Sequence, residues 1–254
     1  MIFEDIIFGP IHSRRLGTSL GVNLMPVGSK VCNFNCIYCE CGFNPKHPST
    51  NLPKREEVAE ALEAKLIDYH TRGEKIDTIT FAGNGEPTIH PQFSEIIDDT
   101  IRLRNEIFPE AKISVLSNAT LVSRPKVFDA LRRVDNNILK LDSAFDRMAR
   151  LINQPEGVYS VEKVIESLRQ FDGDFTLQTL FFSGEYKGEI VDNTTEEEVA
   201  EWLKVVATLR PKMVMIYTLD RPTPASNLRK ASVERMNEIA ALVERLGIKA
   251  QVNG

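Results

Sequence analysis

The chain has 254 residues, 42% of them hydrophobic and 26% charged, a balance that belongs to a globular domain and excludes a disordered chain. No apolar run approaches the ~18 residues that a membrane helix needs, and the opening MIFEDIIFGP lacks the basic start and apolar core of a secretory signal. The net charge of −5 offers no basic excess for a phosphate backbone, which weighs against a dedicated nucleic-acid binder.

Residues 1–18 read as an N-terminal extension that packs on the domain, punctuated by Gly9-Pro10 and carrying the pair Arg14-Arg15. Ser19 to Leu24 reads as a first short strand, ended by Pro26 and Gly28. A helix follows Pro53, with Val58, Leu62, Leu66 and Tyr69 at helical spacing and Gly73 as its stop. Ile76 to Phe81 is a β-branched strand that runs into Gly83-Asn84-Gly85-Glu86-Pro87. A second helix places Phe93, Ile97 and Ile101 on one face, and Ile113 to Leu116 is the next strand, ending at Ser117-Asn118. Ser123 and Pro125 open a third helix through Leu131, and Ile138 to Leu141 is a strand ending at Asp142-Ser143. Ser160 caps a helix bearing Val161, Val164, Ile165 and Leu168. Phe175 to Phe182 is a strand, and Thr194 with Glu197 forms a capping box for a helix carrying Val199, Trp202, Leu203 and Val206. Met213 to Tyr217 is a strand, Ser232 caps a last helix that Gly247 stops, and Ile248 to Val252 closes the chain as a strand.

Strands and helices thus alternate, which predicts an α/β fold with a parallel sheet and crossover helices. With about six β/α units the shape is a partial (β/α)6 TIM-like barrel or an open doubly wound sheet. No linker or short-period repeat appears, so residues 1–254 read as one domain. Both architectures place ligands at the carboxyl ends of the strands. Residues 30–42 follow the first strand and Gly83 to Pro87 follow the second, so the two loops share that edge.

All four cysteines fall in residues 30–42, KVCNFNCIYCECG. Cysteines packed this closely do not make a disulfide framework; a metal or redox role in a reducing compartment, the cytoplasm, is the better reading. Cys32, Cys36 and Cys39 stand in a C-x3-C-x2-C spacing. Three thiolates on one loop can face a single iron–sulfur cluster, which leaves one iron of a cubane without a protein ligand. Zinc competes, although structural zinc takes four ligands and no second cysteine pair or histidine pair accompanies these. Cys41 is either a fourth ligand or a thiol beside the cluster.

This spacing, with Tyr38 immediately before the third cysteine, resembles the signature of the radical S-adenosylmethionine (radical SAM) superfamily. The turn Asn84-Gly85-Glu86-Pro87 resembles that superfamily's Gly-Gly-Glu turn after the second strand, with Asn84 in place of the first glycine. The stretches FGPIHSRRLGTSLGVN, GNGEPTIHP and LKLDS resemble a branch related to wybutosine-type enzymes, which build a tricyclic base in tRNA. The resemblance covers nearly the whole chain and implies a partial (β/α)6 barrel. It implies that Cys32, Cys36 and Cys39 ligate a [4Fe–4S] cluster whose fourth iron is chelated by the amino and carboxylate groups of SAM. Tyr38 is then expected near the adenine, Asn84, Gly85 and Glu86 at the methionine amino group, and Ser117 and Asn118 at the methionine or ribose. Asp142 and Ser143 are candidates for ribose or carboxylate contacts, and Gln178 is a further one. The implied chemistry is one-electron cleavage of SAM to methionine and a 5′-deoxyadenosyl radical that abstracts a substrate hydrogen, fed by an electron donor of flavodoxin or ferredoxin type. The substrate class is open among a small molecule, a peptide or protein such as a glycyl-radical partner, and tRNA. The reading from another class is an iron–sulfur electron carrier without SAM chemistry.

Other polar residues carry plainer expectations. Lys140 and Asp142 are two apart and point to one face, which suits an interior ion pair as well as a functional one. Arg14, Arg15 and Arg221 could face an anionic substrate or serve as surface anchors. The four histidines are scattered without ligand spacing, and only His90, close after Glu86, falls near the expected site.

Overall fold

The computed structural model describes residues 1–13 and 16–254, so the Arg14-Arg15 pair lies outside the described residues. Its contacts gather the chain into two compact units: Met1–Cys32 with Asn44–Asn137, and Asn33–Phe43 with Ile138–Gly254. The cysteine loop is divided between them, with Cys32 in the first and the other three cysteines in the second.

The first unit holds β1 (Ile7–Ser13), β2 (Gly17–Val22), α1 (Arg55–Thr71), β3 (Thr78–Phe81), α2 (Phe93–Ile107), β4 (Lys112–Ser117) and α3 (Pro125–Leu131). Strands β2, β3 and β4 are parallel neighbours, as the alternation of elements predicts. The expected helices form for the expected reasons. On α1, Val58, Leu62, Leu66 and Tyr69 are buried, the Lys54 N–H donates to the Glu57 carboxylate at 2.8 Å, and Gly73 follows at φ +68°. On α2 the buried face is Phe93, Ile96, Ile97, Thr100 and Leu103, while Ile101 is half-buried. Arg55 reaches from α1 to Asp99 on α2 at 2.6 Å.

The N-terminal extension contains a strand that the sequence concealed. β1 pairs antiparallel with β2, and its register shifts between Phe8 and Ile11. Pro10 has no N–H to give a strand ladder, yet at an edge strand that donor is not needed. Between the strands polar side chains, most of them buried, bond one another. Ser19 Oγ meets Thr80 Oγ1 at 2.8 Å, Thr78 Oγ1 meets Ser114 Oγ at 2.9 Å, and Asn136 Nδ2 donates to Ser114 Oγ at 3.1 Å. Buried hydroxyls left unpaired would each cost about 1–3 kcal/mol.

The second unit takes the last residues of β5 (Asn136–Lys140), then α4 (Asp146–Asn153), α5 (Val161–Arg169), β6 (Thr176–Leu180), β7 (Phe182–Tyr186), β8 (Glu189–Asp192), α6 (Glu196–Leu209), β9 (Met213–Tyr217), β10 (Leu228–Lys230), α7 (Val233–Arg245) and β11 (Lys249–Asn253). β5, β6, β9 and β11 run parallel in that spatial order. Ser232 caps α7 by accepting from the Arg235 N–H. Trp202 on α6 packs edge-on against Phe181, with ring centroids 5.3 Å apart, and donates to Thr179 Oγ1 at 3.1 Å.

Two expectations need correction here, and one element is added. The strand read over Phe175 to Phe182 ends at Leu180, and Phe182 opens β7, which joins β8 and β10 in a small antiparallel sheet. Apolar residues on both sides of the break hid it. The cap of α6 is Thr195, whose hydroxyl accepts from the Glu198 N–H. Thr194 is instead held by the Asp192 carboxylate, which accepts from its N–H at 2.9 Å and its hydroxyl at 2.6 Å. Helix α4, which no sequence signal above identified, buries Ala149, Ile152 and Asn153.

Asp135 links two elements of the first unit. Its Oδ2 accepts from the Ile113 N–H at 2.8 Å and from Arg104 at 2.9 Å. Burial works against this charge, but the Ile113 N–H and the Arg104 guanidinium outweigh it and hold the carboxyl below its ordinary value. A depressed folded-state value contributes stability that is present above the unfolded value of about 3.9 and is lost as pH falls through the folded one. The expected result for Asp135→Asn is a lower urea midpoint than wild type at pH 7, with the gap narrowing below about pH 4; midpoints measured at pH 7, 4 and 3 check it.

Candidate functional site

In the first unit the site begins at the lead into the cysteine loop. The Val31 N–H donates to the Asn84 carbonyl at 2.9 Å, and the Val31 carbonyl accepts from the Glu86 N–H at 3.2 Å. Val31 and Gly85 thereby form a parallel bridge. Gly85 is required for this approach. It sits at φ +140°, and a Cβ placed there would lie 1.8 Å from the Val31 carbonyl oxygen. The turn that follows β3 and the backbone that precedes Cys32 are therefore one hydrogen-bonded piece.

The polar side chains of the turn point inward. Glu86 is 2% exposed. Its Oε1 accepts from the Thr88 N–H at 3.1 Å, the Thr88 hydroxyl at 2.6 Å and Ser117 Oγ at 2.8 Å, and its Oε2 accepts from the Asn118 N–H at 2.6 Å. Burial pushes this carboxyl up, and the Asn118 and Thr88 donors oppose the shift. These bonds turn the Glu86 carboxylate toward the end of β4, with three donors on Oε1 and one on Oε2. The same bonds place Asn118, whose Nδ2 lies 3.9 Å from Cys32 Sγ, and whose Oδ1 holds the Thr120 hydroxyl at 2.7 Å.

Asn84 is also turned away. It is fully buried; its Nδ2 donates to the carbonyls of Phe3 at 2.8 Å and Pro26 at 3.0 Å, and its Oδ1 accepts from the Phe3 N–H at 2.8 Å. A glycine at this position would lack those bonds, so the departure from Gly-Gly-Glu anchors the N-terminal extension. His90 is a staple of the same kind rather than a site residue: it is buried, its Nε2 pairs with the Pro53 carbonyl at 2.9 Å, and its Nδ1 accepts from the Gln92 N–H at 3.1 Å.

In the second unit the cysteine loop is seated on the C-terminal end of α4. The Asn35 N–H donates to the Asn153 carbonyl at 2.9 Å, the Ile37 N–H to Ile152 at 3.0 Å, and the Glu156 N–H to Asn33 at 2.9 Å. Ile37 is fully buried with Ile152, Leu180, Phe182, Val191 and Leu219, a burial that contributes roughly 1.5–3 kcal/mol. None of the four cysteines is in a disulfide, and Cys36 is the buried one.

Around Cys36 lies a closed polar network. Lys140 Nζ is 3.2 Å from Cys36 Sγ, 2.9 Å from the Tyr38 hydroxyl and 3.1 Å from Asp142 Oδ2, and it also donates to Asn153 Oδ1. The Tyr38 hydroxyl donates to Asp142 Oδ2 at 2.7 Å, and Asp142 Oδ1 accepts from the Leu180 N–H at 3.2 Å. Burial pushes the Cys36 thiol up, and the Lys140 ammonium pulls it back. Burial and Asp142 hold the Tyr38 phenol well above its usual value. The expected Lys140–Asp142 pair is thus present. Ser143 is buried, with its hydroxyl on Glu198 Oε2 at 2.7 Å and accepting from the Phe145 N–H at 2.9 Å. Gln178, across the sheet from Lys140, donates to the Tyr217 hydroxyl at 2.9 Å. Arg221 pairs with Glu40 in the cysteine loop at 2.7 Å.

The structure therefore gathers Cys32, Gly85, Glu86, Ser117 and Asn118 in one unit, and Cys36, Tyr38 and Asp142 in the other. Sequence reasoning missed Asn153 and the seat that α4 provides. The spacing of Phe145, Ala149 and Ile152 before Pro155 was the signal for that helix. Among the described residues no three His, Cys, Asp or Glu side chains could hold a single metal ion, and no helix is long and apolar enough to cross a membrane. The donors on the loop are thiols, the soft ligands that iron–sulfur clusters take.

Comparison with known proteins follows the same residues. A sequence model of the radical SAM superfamily matches residues 27–195. A UPF0026 protein of Methanocaldococcus jannaschii is 28% identical over 251 residues, covering 95% of this chain and 72% of its own. A UPF0026 protein of Helicobacter pylori is 32% identical over 226 residues, covering 86% and 67%. Among solved structures, a radical SAM methyltransferase from Sphaerobacter thermophilus superposes with a TM-score of 0.68 at 21% identity, over 92% of this chain. The chain spans 65% of that methyltransferase's length. At this identity the likeness is one of fold, and it agrees with the parallel α/β reading.

Two substitutions test the first unit's geometry. Gly85→Ala is expected to cost about 3 kcal/mol or more in urea unfolding and to expose the Val31 and Glu86 N–H groups to hydrogen exchange. Asn84→Asp keeps the side chain's shape but loses both donors, with an expected loss of roughly 2–4 kcal/mol and faster proteolysis ahead of Ile7.

Proposed function

The chain belongs to the radical SAM superfamily, and we propose that it is an enzyme in which Cys32, Cys36 and Cys39 hold a [4Fe–4S] cluster beside a site for SAM. The observation that supports this most is the Val31–Gly85 bridge. The family match encloses both the cysteine loop and the Gly83 to Glu86 turn, and backbone hydrogen bonds join the start of one to the other. When bound, cluster and SAM supply one-electron cleavage of the sulfonium and a radical that abstracts hydrogen from the substrate.

The chain's own residues do the rest. Gly85 lets the backbone before Cys32 lie against the turn. Glu86 fixes Ser117 and Asn118 at the end of β4, and Asn118 presents its amide to the Cys32 sulfur. Ile37, buried with Ile152, holds the loop between its cysteines. Lys140 and Asn153 surround the Cys36 sulfur with hydrogen-bonding groups. Tyr38, in edge contact with Phe182 at 5.6 Å and bonded to Asp142, has a fixed ring plane on which an adenine could pack. The electron comes from a donor of flavodoxin or ferredoxin type.

The test is anaerobic reconstitution of the protein with iron and sulfide, addition of SAM and a low-potential reductant, and chromatography for 5′-deoxyadenosine. Wild type is expected to form it, Cys36→Ala and Cys39→Ala to fall to background, and Cys41→Ala to keep its cluster. A loaded wild type that forms no 5′-deoxyadenosine and whose spectrum ignores SAM would overturn the proposal in favour of an electron carrier. Loss of the cluster in Cys41→Ala would make Cys41 a ligand.

A further inference from the structure

Lys140 is placed as few lysines are. It is 9% exposed, at the end of the parallel strand β5. Lysine is almost never buried without a partner, since an isolated buried charge costs far more than it returns. Here the ammonium meets four groups: Asp142 Oδ2, the Tyr38 hydroxyl, Asn153 Oδ1 and Cys36 Sγ. Two aromatic rings complete its surroundings, with Nζ 4.8 Å from the Phe34 centroid and 5.2 Å from the Tyr38 centroid. Phe34, Cys36 and Tyr38 all belong to the cysteine loop, so the loop is folded around the lysine.

The donor inventory gives this contact a direction. An ammonium has three hydrogens and accepts none. Tyr38 gives its own proton to Asp142, so toward Lys140 it can only accept. In the thiol form Cys36 donates to Asn153 Oδ1 at 3.3 Å. Once Cys36 becomes a thiolate that donor is gone, the sulfur is a pure acceptor, and the Lys140 N–H at 3.2 Å is a charge-assisted partner already in place. The charges agree. One cation lies between the Asp142 carboxylate and the Cys36 sulfur.

We propose that Lys140 is a positioning residue that sets the reduction potential of the cluster by donating a charged hydrogen bond to the sulfur of Cys36. Reduction adds one negative charge to the cluster, and a fixed cation and N–H donor at a ligand sulfur stabilise that charge, which raises the potential. Asp142 holds the lysine in place and offsets part of its charge. Together they set how readily a donor can deliver the electron that SAM cleavage consumes. Tyr38 and Asn153 accept the remaining hydrogens, so the ammonium cannot swing away from the sulfur without leaving buried acceptors unpaired.

The inference rests on the proposed cluster site, and its test separates the two. The readout is a potentiometric titration of reconstituted protein without SAM, followed by absorbance and electron paramagnetic resonance, alongside iron and sulfide content. Lys140→Met, which is one atom shorter, fills most of the same space and removes the charge, is expected to load as wild type does. Its ratio of reduced to oxidised cluster at a fixed potential should fall about tenfold, which for one electron corresponds to about 59 mV. Lys140→Arg should recover at least half of that shift, and Asp142→Asn should move the potential the opposite way. Should the methionine variant fail to fold, Lys140→Gln keeps a polar end in the cavity and is expected to shift in the same direction. Coincident potentials in wild type and the loaded Lys140→Met or Lys140→Gln variant overturn the role of Lys140 and leave the cluster reading intact. A wild type that takes up no cluster overturns the cluster reading itself.

Discussion

The constraint on which the site depends is the contact between two backbones at Val31 and Gly85. Two hydrogen bonds, one to the Asn84 carbonyl and one from the Glu86 N–H, hold the residue before Cys32 as if it extended the sheet. Any side chain at position 85 would occupy the space of the Val31 carbonyl. The neighbouring side chains serve that geometry. Asn84 ties the turn to Phe3 and Pro26, Asn23 Oδ1 accepts the Asn84 N–H at 3.0 Å, and Glu86 ties it to β4. The turn is rigid because each of these polar groups is buried and bonded, and releasing one would leave several unpaired.

The same logic governs the second unit with different chemistry. There the cysteine loop rests on the end of α4 by main-chain bonds and by the burial of Ile37, while charge is handled by Lys140 and Asp142. A buried ion pair is weak evidence for stability, because desolvation can exceed the attraction gained. This pair is bonded on all sides, to Tyr38, Asn153, Leu180 and Cys36, which is the condition under which such a pair can be kept.

Much of this was legible from one dimension. The helices at Arg55–Thr71, Phe93–Ile107 and Val233–Arg245 follow from apolar spacing with clear stops, and the parallel strands follow from β-branched runs between them. The failures share a cause. β1 was hidden by a proline that is harmless only at a sheet edge. β7 was merged with β6 because apolar residues flank the break at Phe181. Residue type marks Asn84, Glu86 and Ser143 as polar groups on loops at one sheet edge, and the structure adds the scaffold partners that each one bonds. Residue type and position on a loop say that a polar side chain is available; only its neighbours decide which way it turns.

The sequence by itself determined which residues are offered as ligands and the class of fold. Cysteine spacing, a glycine that tolerates positive φ and the alternation of β-branched and amphipathic segments are local properties, set by the covalent chain and by the period of each element. Tertiary structure alone decided what surrounds those ligands. That Asn153 and Lys140, both distant in sequence from Cys36, meet its sulfur is a long-range fact, fixed by where α4 and β5 bring their carboxyl ends. The physical reason is that burial makes every polar group choose a partner, and the partners available depend on packing that no local pattern encodes.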